Sequence, residues 1–362
     1  MTNPGVTDAV DRRALSQFDM IIDVRSPGEF TEDHIPGAVN LPVLNNEERA
    51  KVGAIYVQES RFLARRVGAA LVARNIARHL ETSLADLTSA FQPLVYCWRG
   101  GQRSSSMATI LAQVGWRTMV LRGGYQTYRR AAQKKLYQSD LGVRFVVLDG
   151  GTGCGKTAIL QRAASLGLQV IDLEDLAQHR GSLFGALSGV SQPSQKWFET
   201  VLLDKLNSFD VRKPILVEAE SNKIGKRTLP PAVWQAMRRA PRIELTAPLE
   251  ARASYLLKSY AEVVADRELL EAARSRLEVF PGRKRLQSWR LMADAGQFLA
   301  LVQEVVERHY DPSYTRASQR DERPLFATLA LSSLDEAEQD AAAREVVNAV
   351  TAISAGAHWR ES

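Results

Sequence analysis

The sequence predicts two α/β domains in tandem, and three observations carry that assignment. Short apolar runs alternate with helix-length amphipathic stretches along most of the chain. The runs are continuous rather than alternating, as expected of parallel strands covered on both faces. A polar stretch from Gln133 to Leu141 separates two such series, and 362 residues exceed what one ordinary domain holds. The domains are accordingly expected at 1–138 and 139–362, the second closing with a helical C-terminal region.

In the first domain, Met20 to Val24, Leu94 to Cys97 and Thr118 to Leu121 read as buried parallel strands. Lys51 to Leu80 reads as one long helix with a break at Gly68, and Arg103 to Val114 as another. In the second, Arg144 to Leu148 runs into a glycine cluster and a helix beginning near Lys156. Gln169 to Ile171, Pro214 to Val217 and Arg242 to Leu245 supply further strands of a parallel sheet. From Ala251 onward the pattern is helical and ends in a weakly patterned tail. No internal repeat or low-complexity tract occurs.

Hydrophobic residues at 45% and charged residues at 24% give the balance of a soluble globular protein. Met1 to Val10 lacks the basic start and apolar run of a secretory signal. No stretch approaches the roughly 18 apolar residues of a membrane span. A cytoplasmic protein without membrane contact is expected. The two cysteines, Cys97 and Cys154, fit neither a disulfide framework nor a zinc site. A net charge of +6 makes a polyanion, nucleic acid included, or a phosphate-bearing small molecule a natural partner.

The run Gly150, Gly151, Thr152, Gly153, Cys154, Gly155, Lys156, Thr157 has the spacing of a P-loop between a strand and a helix. Its glycines let successive backbone N–H groups turn inward toward phosphate oxygens. The helix N-terminus adds partial positive charge, and Lys156 adds an ammonium. Thr157 stands where Mg²⁺ is held if one is used, and no tightly bound cofactor is expected. Cys154 occupies a variable position of the loop and reads as a bystander. Ile215-Leu216-Val217-Glu218, followed by Glu220, is the best match to an apolar strand ending in a metal-side acid, with glutamates where aspartate is usual. No machinery for nucleotide hydrolysis follows, so the loop is suited to gripping a diphosphate without cutting it between phosphates.

Cys97 ends an apolar run and opens Trp98-Arg99-Gly100-Gly101-Gln102-Arg103-Ser104, just before a helix. A tight loop of N–H groups, Arg99, Arg103 and a helix N-terminus favour a thiolate and cradle an anion brought to it. The weaker signals are His309 with Asp311, read as packed residues, and Asp172 with Glu174, which follow a strand. Basic residues recur at Arg129 and Arg130, with Arg122, Lys134 and Lys135, between the two domains, and at Arg283, Lys284 and Arg285, with Trp289 and Arg290 close behind, and are expected to track phosphates and stack a base.

Asp23-Val24-Arg25-Ser26-Pro27-Gly28-Glu29-Phe30, then His34-Ile35-Pro36-Gly37-Ala38-Val39-Asn40-Leu41-Pro42, then the Cys97 loop, resemble the rhodanese domain of sulfurtransferases. The loop from Cys97 to Arg103 is longer than the usual sulfurtransferase loop and is similar to that of rhodanese-fold phosphatases, although Tyr96 stands where those enzymes carry histidine. The resemblance implies a rhodanese-like domain followed by a P-loop NTPase-like domain. In that order, with Arg65 to Leu80, Val217 to Ser221, Lys223 to Gly225 and His309 to Tyr314, the whole chain resembles the bacterial tRNA 2-selenouridine synthases.

That resemblance implies a tRNA-modifying transferase converting wobble 2-thiouridine to 2-selenouridine by way of S-geranyl-2-thiouridine. Its substrates are geranyl diphosphate, selenophosphate and tRNA. Cys97, Arg99 and Arg103 would serve selenation, and Lys156 and Thr157 geranylation. The alternatives are a rhodanese-type sulfurtransferase coupled to an ATP-dependent kinase or adenylating domain, and a non-enzymatic nucleotide-sensing module that binds RNA.

Overall fold

The apolar runs of the first half become a parallel sheet because alternate side chains find a core on each face. Strands β1 (Gly5–Thr7), β2 (Met20–Asp23), β3 (Ala38–Asn40), β4 (Pro93–Tyr96) and β5 (Met119–Leu121) stand in the order β1-β5-β4-β2-β3. Every pair is parallel. Helices α1 (Arg12–Leu15), α2 (Pro27–Glu32), α3 (Asn46–Gln58), α4 (Arg61–Glu81), α5 (Gln102–Val114) and α6 (Tyr125–Gln138) connect them. Ile22, Val24, Val95 and Cys97 pack with Met107 and Leu111 of α5, whereas Ile21, Leu94, Tyr96 and Leu121 pack with Tyr125 and Tyr128 of α6. The computed structural model describes residues 3–179, 191–219, 221–261 and 283–355, without the side chains of 283–286.

The helix break expected at Gly68 lies instead at Glu59 and Ser60. Ser60 Oγ accepts the Leu63 N–H at 3.4 Å and so caps α4. Gly68 is inside α4, where an added Cβ would sit 3.4 Å from Val52 Cγ1. The glycine marks close approach of α4 to α3, not an interruption.

The second unit has β6 (Phe145–Gly150), β7 (Gln169–Ile171), β8 (Ile215–Glu218), β11 (Arg242–Thr246) and β12 (Leu325–Ala330) in the order β12-β11-β6-β8-β7. All four pairings are parallel, and β9 (Lys223–Ile224) with β10 (Arg227–Thr228) adds a small hairpin. Helices α7 (Lys156–Ser165), α8 (Leu173–Leu176), α9 (Gln195–Asn207), α10 (Pro231–Arg239) and α11 (Leu249–Ser259) lie between the strands. Helices Arg283–Asp294, Phe298–Val305 and Asp311–Ser318 follow, the last two joined by a π-helical turn, Val306–Tyr310.

Two expectations about the C-terminal region are corrected. The region contains a strand, β12, which lies at the sheet edge and buries none of its six residues fully, so it lacks the continuous buried run of the inner strands. Its tail is a helix, Glu336–Ala355, that buries Ala342, Ala343, Val346, Val350 and Ile353 in the core of the second unit. Small alanines on that face weaken the hydrophobic signal while permitting tight packing.

The expected single cut after residue 138 also needs correction. The chain divides into Met1–Ser139 with Pro193–Ser208, and Asp140–Gln192 with Phe209–Ser362. Helix α9, which falls within the second stretch of sequence, belongs with the first unit. Trp197 stacks on His34 at 4.0 Å, and His34 on Phe30 at 3.7 Å. Lys196 Nζ reaches Glu32 Oε1 at 2.7 Å, and Glu199 takes hydrogen bonds from Arg129 and Tyr137. No helix among the described residues is long and apolar enough to cross a membrane.

Candidate functional sites

Cys97 directly follows the central strand β4 and is buried. The Gly101 N–H donates to its Sγ at 3.3 Å, and the Ser104 hydroxyl donates at 3.2 Å. A second loop holds this geometry from behind. The Tyr125 N–H donates to Cys97 O at 2.8 Å and the Gln126 N–H to Trp98 O at 3.1 Å, so the first turn of α6 occupies outward carbonyls of the thiol loop. At Gly124 (φ +59°) an added Cβ would lie 2.1 Å from Cys97 O, which is why the segment before α6 requires glycine. No residue pattern in the sequence marks Ser104 as a partner of the thiol. The only signal for Gly124 was a Gly-Gly pair opening a helix.

Of the two arginines expected at the thiol, Arg99 is exposed and Arg103 is drawn aside. Arg103 donates to Glu29 Oε2 at 2.8 Å and Oε1 at 3.4 Å, and Arg49 Nε reaches the same Oε2 at 3.0 Å. Burial works against the Glu29 carboxylate, but the hydrogen bonds and charge of Arg103 outweigh it and hold the carboxyl below its ordinary value. Two guanidinium groups thus meet on one carboxylate at the start of α5.

Beneath the loop, the Asp23-Arg25 motif forms a fully buried brace. Arg25 donates to the Asp23 carboxylate through its backbone N–H at 2.9 Å, through Nε at 3.0 Å to both oxygens and through a terminal nitrogen at 2.6 Å, and it donates to the Asp33 carbonyl at 2.6 Å. Its guanidinium lies 4.1 Å from the Tyr125 ring centroid. These hydrogen bonds tie β2 to the segment after α2, so the motif supports the scaffold. The Arg129 assignment as a tRNA contact is corrected by the same region. Arg129 is largely buried and paired with Glu199, with Asp33 Oδ2 at 3.9 Å. Arg130 is exposed.

The P-loop joins β6 to α7 next to β8. Gly153 and Gly155 take φ of +86° and +74°, and Lys156 Nζ reaches back over the loop to Gly150 O at 2.8 Å. Cys154 is buried, and burial pushes its thiol up, so it remains a neutral wall residue. The crest of the loop is held from outside. Arg252 Nε donates to Thr152 O at 2.9 Å, and its terminal nitrogens grip Asp311 at 2.6 and 3.2 Å. Asp311 follows the π-helical turn, so the packed reading of Asp311 gains a defined purpose.

The acidic residues sort differently from expectation. Glu218 is buried at the end of β8 and accepts the Glu174 N–H through Oε1 at 2.8 Å. Glu174, rated a weak signal in sequence, is the residue that meets the P-loop: Thr157 Oγ1 lies 3.4 Å from its Oε2. A threonine hydroxyl and a carboxylate beside a phosphate loop suit Mg²⁺, whose remaining ligands come from water and phosphate. Glu220 lies outside the described residues, as do the side chains of Arg283, Lys284 and Arg285.

The P-loop opens into a cavity of about 820 Å³. Trp234, Tyr255, Leu256, Tyr260, Tyr310 and Tyr314 contribute to its walls. Tyr314 donates to Glu244 Oε1 at 2.9 Å, which fixes the ring edge. The arrangement offers a polar grip for phosphates at one end and flat apolar surface for an attached tail. Tyr310 and Tyr314 fall in the His309 to Tyr314 stretch that carries the family resemblance, whereas Trp234, Tyr255 and Tyr260 belong to no sequence motif.

Comparison with known proteins adds family evidence to this geometry. A family model described as the tRNA 2-selenouridine synthase AAA domain matches residues 143–280, and one described as a rhodanese-like domain matches 7–131. The chain is similar to the tRNA 2-selenouridine synthase of Nitrosomonas europaea, at 31% identity over 88% of this chain and 94% of that protein. It is also similar to the one from Shewanella denitrificans, at 32% identity over 84% of this chain and 90% of that protein. Among solved structures, a rhodanese-related protein from Thermoplasma volcanium matches with 16% identity and a TM-score of 0.23, covering 36% of this chain and 93% of that one.

Proposed function

The chain belongs to the tRNA 2-selenouridine synthase family, and on that premise we propose that it exchanges the sulfur of wobble 2-thiouridine for selenium by way of an S-geranyl intermediate. As a member of that family it is an enzyme of tRNA modification. The observation that carries the finer reading is the cavity in which a phosphate loop faces a tyrosine- and tryptophan-lined wall. That combination fits a prenyl diphosphate, here geranyl diphosphate.

In the first half-reaction the 2-thiouridine sulfur attacks C1 of geranyl diphosphate. A carbon–sulfur bond forms, the carbon–oxygen bond breaks, N3 of the base loses its proton to water, and diphosphate leaves. P-loop N–H groups and Lys156 take up the charge that develops on the leaving group. Arg252, anchored on Asp311, keeps the loop crest in the shape that aims those groups. Thr157 and Glu174 would hold Mg²⁺ on the diphosphate, adding to the same neutralisation.

In the second half-reaction selenium of selenophosphate bonds to C2 of the geranylated base and geranylthiol leaves. The Cys97 sulfur, polarised by Gly101 and Ser104, then acts as nucleophile on phosphorus: a sulfur–phosphorus bond forms as the phosphorus–selenium bond breaks, and water cleaves it to release phosphate and regenerate the thiol. Arg99 and Arg103 supply positive charge for the phosphate-like donor, Arg103 by exchanging Glu29 for it.

The test is incubation with thiolated tRNA, geranyl diphosphate and selenophosphate, followed by mass analysis of the nucleosides. The expected products are S-geranyl-2-thiouridine and 2-selenouridine. ATP turnover without tRNA modification would instead support the sulfurtransferase-kinase alternative.

A further inference from the structure

Helix α4 carries charge of one sign over most of its length. From Arg61 to Leu80 it contains Arg61, Arg65, Arg66, Arg74 and Arg78 and no acidic residue. All five arginines are exposed. A helix face that is merely solvated interleaves opposite charges at i,i+4 spacing, and this one does not.

The same helix borders a groove of about 1080 Å³ that runs between the α3–α4 pair and the first turns of α5. Arg49 and Arg65 rim it, and Ser105 and Ser106 offer hydroxyls from α5. Tyr56 and Val57 line it while 47% and 83% exposed. The Arg61 guanidinium stands 5.5 Å from the Tyr56 ring centroid. Guanidinium groups for phosphates, hydroxyl donors and an exposed ring for a base are the elements that bind unpaired RNA. The helix forming one wall, α5, begins at the Gly101 amide that contacts Cys97 Sγ. The groove therefore leads to the thiol loop.

We propose that the α3–α4–α5 groove binds the tRNA and is the path along which its unpaired segment reaches Cys97. The proposal rests on the tRNA-modifying reading above and assigns the contact mainly to α3 and α4, with Arg103 the residue that the groove shares with the thiol loop. Its alternative occupant is the prenyl tail of the geranylated intermediate.

Fluorescence anisotropy of the full chain with an unmodified tRNA transcript and, in parallel, with S-geranylated tRNA, across about 50 to 200 mM salt, separates the cases. The double variant Arg49→Ala with Arg65→Ala should bind about tenfold more weakly and flatten the log–log salt slope by about 1.4, near 0.7 per lost phosphate contact. Tyr56→Ala should weaken binding at every salt concentration with the slope unchanged. Wild-type affinity and slope in the double variant would overturn the assignment. So would a loss confined to S-geranylated tRNA, which would mark the groove as a prenyl site. A wild-type chain that fails to bind any tRNA would overturn the functional reading itself.

Discussion

The hydroxyl of Ser104 donates to Cys97 Sγ across 3.2 Å, from one turn inside α5. This contact turns a buried strand-end cysteine into a sulfur polarised by a side chain as well as by the Gly101 amide. A hydrogen bond contributes about 0.5–1.5 kcal/mol, and about 1.5–3 kcal/mol where charge develops on its acceptor as the sulfur reacts. Ser104→Ala is therefore expected to slow selenation about tenfold to a hundredfold and leave geranylation intact, as measured by the two modified nucleosides. Equal slowing of both reactions would refute this role.

The Arg252–Asp311 pair makes a prediction for the other site. Removing Arg252 leaves the Thr152 carbonyl and the Asp311 carboxylate without that partner in a half-buried setting. Arg252→Ala should raise the KM for geranyl diphosphate about tenfold or more, because the loop that grips the phosphates loses its brace. Arg252→Lys should recover only part of the loss, since an ammonium cannot make the two-pronged contact. Steady-state kinetics on thiolated tRNA provides the check.

Glu29 supplies a pH test. Its folded-state carboxyl lies below the ordinary value of 4.5, held there against burial by Arg103. An acid depressed on folding stabilises the fold above the unfolded value and loses that contribution as pH falls through the folded one. The melting temperature of Glu29→Gln should thus lie below wild type by a constant amount between about pH 6 and 8, and the gap should close below about pH 4.5. A gap that widened in acid would contradict the pairing.

Gly124 tests the two-loop construction around the thiol. At φ +59°, and with a Cβ placed 2.1 Å from Cys97 O, alanine forces the backbone to move. Gly124→Ala should cost about 2 kcal/mol or more of stability, read as a lower thermal midpoint. It should also impair selenation more than geranylation.

Much of the scaffold could be read from residue pattern alone, because parallel strands buried on both faces leave continuous apolar runs such as Leu94 to Cys97. The P-loop and the Cys97 loop were legible for a different reason: glycine spacing reports backbone conformations that few other residues adopt. The remainder depended on contacts between residues distant in sequence. Helix α9 returns to the first unit through Trp197 on His34 and Glu199 on Arg129, and no local pattern announces this. The same pairing removed Arg129 from the basic surface. Gly68 misled because a glycine kept for close packing against Val52 looks like one that ends a helix. The aromatic wall opposite the P-loop came from α10, α11, the π-helical turn and the helix Asp311–Ser318, which only folding brings together.

The division of labour between the two loops is the central claim, and Cys97→Ala tests it most directly. With thiolated tRNA, geranyl diphosphate and selenophosphate supplied together, the variant should accumulate S-geranyl-2-thiouridine and form no 2-selenouridine. Loss of geranylation with selenation intact would contradict the account.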